Sequence, residues 1–162
     1  MALEDLTPVI DTARTYCLNE ESKEGHRSVF SEGTSWTLRS DCDEQMILYV
    51  PFTGTVKLKQ LELTAPAGDH APTRAKLFIN RKALGFEDVD SVKPTQEIDL
   101  EASDKGEPLL IKLDYVNFQR VTSVHIHFEN DREPDDEKTE ISRLRFFGTS
   151  TKRVDVSELK KC

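Results

Sequence analysis

This sequence predicts an all-β fold, an antiparallel sandwich of the jelly-roll type, on three observations. Apolar and polar residues alternate with a period of two through about eight short segments, the spacing of a strand with one buried face. Proline, glycine, asparagine and aspartate gather between those segments, where turns need them. Only a stretch near the N-terminus carries helical spacing, so little helix is expected. At 162 residues the chain can bury a core without disulfides or metals, and it reads as a single domain spanning 1–162, with a core over about 6–150 and a tail over 151–162.

The elements follow in order. Thr7 is placed to cap a short helix with Pro8 at its first position, and Leu6, Val9, Ile10 and Ala13 recur at roughly helical spacing. "CLNEESKEGHRS" is polar loop. From Trp36 the period changes to two: "WTLRS" opens the strands and "QMILYVPF" follows, buried on both faces from Met46 to Phe52 because its apolar run has no polar side. Pro51 and "TGT" are expected to end that strand before "VKLKQLELTA" begins. There the phase slips, since Val56 and Leu58 share a face that simple alternation denies to Leu61 and Leu63. A β-bulge near Lys59 and Gln60 returns all four to the core. "RAKLFIN" places Ala75, Leu77 and Ile79 on one face, and "RKALGFEDVDSVKP" is a connection with room for one helical turn. "TQEIDL", "PLLIKLDYVNF", "VTSVHIHFEN" and "ISRLRFFG" complete the set, the last two joined as a hairpin by the charged turn "DREPDDEKTE".

Composition narrows the function. Thirty acidic residues against 22 lysines and arginines give a net charge of -8, so the chain as a whole is repelled by phosphate backbones and anionic lipid. Nucleic acid and membranes are therefore not expected partners. No apolar run reaches the ~18 residues of a membrane span, and "MALEDLTPVI" lacks the basic start and hydrophobic stretch of a signal peptide. Cys17, Cys42 and Cys162 are odd in number and widely spaced, which fits neither a disulfide framework nor a zinc site. A reducing compartment is expected: the cytoplasm, with the nucleus as a second location.

Candidate sites are few. His125 and His127 sit two apart on a strand and face one way, a spacing that metal-binding cupins use. No histidine follows them to complete the set, so no metal is assigned and they read as two solvent-side histidines on a half-buried strand. Asp41, Asp43 and Glu44 offer oxygens, but their spacing matches no calcium loop; Asp41 and Asp43 read instead as acceptors for nearby amides where a loop enters a strand. Cys42 has no CxxC partner and sits among carboxylates, the reverse of the cationic surroundings that activate a thiol. Catalytic motifs of the GxSxG, P-loop, GxGxxG and HExxH kinds are missing, and neither a catalytic residue nor a cofactor is assigned. Trp36, the single tryptophan, keeps open an alternative, a small-molecule or glycan-binding jelly roll, although a strand-heading tryptophan more often packs. The acidic turn containing Asp135 and Asp136 reads as a solvated hairpin loop, and Lys152, Arg153, Lys160 and Lys161 as a solvated tail; either can serve as the rim of a contact.

Six segments carry a resemblance: "YCLNEE", "SDCDEQMILYVPF", "VKLKQLELTAP", "KLFINRKALGFEDVDSVKPTQEIDL", "KLDYVNFQRVTSVHIHFE" and "TEISRLRFFGTS". Together, in this order, they resemble the PITH domain, the proteasome-interacting module found at the C-terminus of thioredoxin-like proteins and also free-standing. The resemblance implies a galactose-binding-like jelly roll, and it implies that Ser-Asp-x-Asp-Glu-Gln, here Ser40 to Gln45, leads into a core strand. It also implies a non-enzymatic role, binding the regulatory particle of the 26S proteasome, with a monomer as the expected state. Asp41, Asp43, Glu44, Asp135, Asp136, Lys152, Arg153, Lys160 and Lys161 are the residues expected at that contact. The Trp-Cys-x-x-Cys active site of a thioredoxin half is absent from this sequence, so no disulfide reductase activity is carried over.

Overall fold

One long strand organises the molecule. The computed structural model describes residues 3–21, 25–31, 37–100, 106–132, 134 and 137–150. Its strands are β1 (Glu4–Asp5), β2 (Tyr16–Leu18), β3 (Leu38–Arg39), β4 (Met46–Thr64), β5 (Arg74–Ile79), β6 (Gln96–Asp99), β7 (Leu109–Lys112), β8 (Val121–Glu129), β9 (Glu140–Ile141) and β10 (Arg143–Ser150), with one short helix, α1 (Gly25–Ser28). The N-terminal half of β4 pairs with β2 and β8, and β8 continues the layer through β5 to β6. The C-terminal half pairs with β10 and β7, and β10 adds β1. All of these pairings are antiparallel, so the fold is an all-β antiparallel sandwich whose two layers share β4.

Pro51 and "TGT" therefore do not end a strand, as the sequence suggested; they bend one. Pro51 lies opposite Ser123 and Val56 opposite Val121, so residues 52–55 face Thr122 alone. The surplus turns the strand from one layer into the other, the way sandwich corners are made. The expected β-bulge is present where the phase slips: Phe147 faces Gln60 and Gly148 faces Leu58, which leaves Lys59 as the extra residue. Val56, Leu58, Leu61 and Leu63 all reach the core as a result. Gly148 is required there, because a Cβ at that position would meet the Lys57 carbonyl oxygen at 1.8 Å.

Between the layers, Met46, Leu48 and Val50 of β4 pack with Val124, Ile126 and Phe128 of β8, and with Leu144 and Phe146 of β10. Met46 to Phe52 is buried on both faces, as its apolar run implied.

Three expectations are corrected. The N-terminal helix is replaced by two 3-10 turns, Thr7–Val9 and Thr12–Arg14. The Asp5 carboxylate, not Thr7, supplies the local acceptor, taking bonds from Thr7 N (3.0 Å) and Oγ1 (2.6 Å). Asp11 N then donates to Pro51 O at the β4 bend (2.9 Å) instead of back along a helix. The "WTLRS" strand reduces to the two residues of β3, paired with β9, and Trp36 lies outside the described residues. Finally, β8 and β10 do not form a hairpin, because β4 lies between them and pairs with both.

The 80–95 connection does contain one turn, closed by Val92 N donating to Asp88 O (2.8 Å). Its main effect is elsewhere: Leu84 and Val89 pack on Ile47 and Phe78, covering the outer face of the β4–β8–β5 layer with a second apolar cluster.

Candidate functional site

Strand direction sorts the loops into two ends. Residues 18–21, 40–45, 64–73, 99–100, 129–132 and 137–142 lie at the end where β8 finishes; residues 11–15, 52–55, 80–82 and 118–121 lie at the other, where β4 bends. The first end is acidic and contains the Ser40 to Gln45 run.

Asn19 shapes that run. It holds a left-handed backbone conformation (φ 68°), which asparagine tolerates better than most residues. Its Nδ2 donates to Asp43 Oδ1 (2.9 Å) and Gln45 O (2.6 Å), while its Oδ1 accepts from Cys42 N (3.0 Å). Asp43 Oδ1 also accepts from Gln45 N (3.0 Å), so Asp43 is the amide acceptor the sequence anticipated. Asp41 is different. Its backbone N donates to Asn19 O (2.9 Å), but its carboxylate remains outward, 57% exposed and 4.0 Å from Lys138 Nζ. Thr139 Oγ1 donates to Glu44 O (2.6 Å) and Thr139 N to Ser40 Oγ (2.8 Å), which tie the run to the strand that follows the acidic turn.

The same end displays Asp69, Asp99, Asp131 and Glu137, exposed and on different loops. These carboxylates come from separate loops of one end, Asp69 beside His70 Nδ1 (3.5 Å) and Asp99 beside Arg74 Nε (3.4 Å), and the excess of acid there suits a cationic protein surface. Among the described residues, no group of three His, Cys, Asp or Glu is arranged to hold a metal. Of the residues expected at a partner contact, Asp41, Asp43 and Glu44 are together here. Asp135 and Asp136 lie outside the described residues, as do Lys152, Arg153, Lys160 and Lys161. Ser150, which precedes the tail, pairs with Val56 at the opposite end, so the structure does not join the acids and the start of the tail into one patch.

His125 and His127 require correction. They point away from the core, as the alternation implied, but they are 0% and 1% exposed rather than solvent-side. The Tyr49 ring lies tilted 4.6 Å from His125, Tyr16 Oη is 3.5 Å from His125 Nε2, and Phe86 stands edge-on 6.2 Å from His127. His127 Nε2 donates to Gln45 Oε1 (2.8 Å), anchoring the acidic run to β8 from beneath. Burial, helped by Arg81 at His125 and by Lys76 at His127, lowers both imidazoles to about 4, so both are neutral at neutral pH. Cys17 is buried too, and that burial, with Glu20 nearby, pushes its thiol well above the ordinary value, the reverse of a redox nucleophile.

The sequence reading missed the other end entirely. An open recess of about 340 Å³ is lined by Arg14, Arg81 and Lys82, with Tyr49, Thr122 and Ser123. A second, of about 590 Å³, lies around Thr55, Lys57, Gln119 and Arg120. The two are joined by Asn80, again left-handed (φ 58°), whose Nδ2 donates to Arg120 O (2.8 Å) and whose Oδ1 accepts from Thr122 N (2.8 Å).

Comparison with known proteins fits this architecture. The PITH domain model matches residues 1–162. Thioredoxin-like protein 1 of Schizosaccharomyces pombe is 36% identical over 156 residues, covering 94% of this chain and 53% of that protein. PITH domain-containing protein 1 of Homo sapiens is 31% identical over 157 residues, covering 91% of this chain and 72% of that protein. The chain thus spans only about half the length of the first of these relatives. Among solved structures, the family 32 carbohydrate-binding module of C. perfringens NanJ, in complex with galactose, superimposes with a TM-score of 0.65 at 9% identity, covering 90% of this chain and 99% of that one. At that identity the likeness establishes a galactose-binding-like jelly roll and nothing of the ligand.

Proposed function

The chain belongs to the PITH domain family, and from that premise we propose that it is a non-enzymatic protein-interaction module that docks on the regulatory particle of the 26S proteasome, in the cytoplasm and the nucleus. The observation that carries the proposal is the acidic end, where Asn19, Thr139 and His127 brace the Ser40 to Gln45 run while the Asp41 carboxylate, beside Lys138, faces solvent. A rigid acidic rim on several loops favours fast, salt-dependent docking on a basic protein surface. The tail, residues 151–162, supplies a second contact in this reading. Because Ser150 is at the opposite end, the two contacts are separable by mutation.

Among the described residues, no comparable feature favours glycan binding. Tyr16 and Tyr49 stack on each other at 4.9 Å and gather around His125, and Tyr49, 9% exposed, offers a recess one wall and not the open aromatic platform a sugar ring stacks on.

Co-sedimentation of the purified chain with intact 26S proteasome, at low and physiological salt and with the isolated core particle as control, tests the reading. Binding to the intact assembly and not to the core is expected. A chain that stays in the supernatant at both salt concentrations refutes it.

A further inference from the structure

The recess at the β4 bend is lined by three cations, Arg14, Arg81 and Lys82, in a chain of net charge -8. Arg14 reaches Asp11 only at 3.8 Å, with 65% of its side chain exposed. Arg81 Nε is buried and has no hydrogen-bond partner among the described residues. A buried guanidinium donor without an acceptor is costly, and native proteins rarely leave one unless something else satisfies it. The fold enforces the arrangement: Asn80 bonds to Arg120 O and Thr122 N, which fixes the turn that presents Arg81 and Lys82 beside Arg14. Tyr49, stacked on Tyr16 and packed against His125, makes one wall rigid and apolar, and Pro51 and Phe52 extend it.

We propose that this recess binds a phosphoryl oxyanion, carried on a small phosphate ester, with Arg14, Arg81 and Lys82 as the charge-bearing contacts and the Tyr49 wall beside the organic part. Two arginines and a lysine suit a tetrahedral dianion, since guanidinium groups match its oxygens in pairs and the ammonium adds a point charge. The volume, about 340 Å³, is at the small end of ligand pockets and fits a compact ester rather than a chain. The acidic surface at the far end has no part in this site, so binding here is measured on the isolated chain and does not depend on proteasome docking.

The test is an amide-resolved NMR titration with inorganic phosphate and with glycerol 3-phosphate, at constant ionic strength set with sodium chloride. Saturating shifts are expected at Arg14, Arg81, Lys82 and Thr122, with the ester binding at least as well as phosphate. The double substitution Arg81→Gln with Lys82→Gln should weaken both by about tenfold or more. Arg81→Gln alone should leave Tm unchanged or raise it, because the buried donor it removes has no partner. Shifts that follow ionic strength without saturating would overturn the proposal, and so would saturation that survives the double substitution. A fall in Tm for Arg81→Gln would identify Arg81 as a structural residue and likewise count against it.

Discussion

The two ends of the sandwich are built with the same device and carry opposite charge. At each, an asparagine in the left-handed conformation, Asn19 or Asn80, ties neighbouring loops together through its side-chain amide. Around Asn19 the exposed charged side chains include Asp41 and Asp43, whereas the recesses around Asn80 are lined by Arg14, Lys57, Arg81, Lys82 and Arg120. The scaffold therefore does not determine what an end binds; the charges placed on its rim do. A net charge of -8 hides this, because it averages a strongly acidic end with a basic one.

The first way to break the comparison is to remove the geometry that separates the ends. Gly148→Val places side-chain atoms against the Lys57 carbonyl at the bulge beside the bend, where even a Cβ comes to 1.8 Å. A loss of about 3 kcal/mol or more is expected in urea unfolding, because backbone cannot move aside as a flexible side chain can.

Acid is the next largest perturbation, acting on the strand that connects the ends. His125 faces Arg81, Tyr16 and Tyr49, and His127 faces Lys76, Gln45, Glu129, Asp90 and Asp43; both have pKa values lowered to about 4 from 6.5. Above 6.5 neither the folded nor the unfolded chain protonates them. Between 6.5 and 4 the unfolded chain takes up protons that the folded chain refuses, so stability falls as pH falls through that window. The total is on the order of a few kcal/mol. Tm measured across this range should drop, and a His125→Asn, His127→Gln variant should show a flatter profile. An unchanged slope in that variant would locate the acid sensitivity in the rim carboxylates instead.

The asparagines come third. Asn19→Ala and Asn80→Ala each lose two or more bonds to neighbouring loops and place alanine in a left-handed conformation, for about 2 kcal/mol each by thermal unfolding. Functionally they should differ, with Asn19→Ala weakening proteasome docking and Asn80→Ala weakening phosphate binding. Smallest in stability are the exposed acids. Asp41→Asn, Asp69→Asn and Asp131→Asn should each shift stability by less than about 0.5 kcal/mol, and the sharper comparison is the salt dependence of docking, which should flatten as they are removed together.

Much of this was legible in the residues. The phase slip between Leu58 and Leu61 located the Lys59 bulge, because a period-two pattern admits only one repair. "MILYV" likewise announced a strand buried on both faces. That reading already implied a cover over the outer side of the layer, and β8 lies in the same layer; carried across to β8, it would have placed His125 and His127 inside. The cover itself comes from Leu84, Phe86 and Val89, whose connection gives no strand period and reads as loop. The bend at Pro51 looked like a strand end because local turn chemistry does not tell a corner from a terminus. The basic recess was illegible for a different reason: Arg14 comes from one turn and Arg81 and Lys82 from another far along the chain, and only the antiparallel order of β2, β4, β5 and β8 gathers them.

The most direct test of the account is a three-way co-sedimentation with intact 26S proteasome. It compares the natural chain with an acid-end variant carrying Asp41→Asn, Asp69→Asn and Asp131→Asn, and with a bend-end variant carrying Arg81→Gln and Lys82→Gln. The natural chain and the bend-end variant should bind alike, more tightly at low salt, while the acid-end variant loses most of its binding. Equal binding by the acid-end variant, or loss confined to the bend-end variant, would contradict the claim that docking is made by the acidic end.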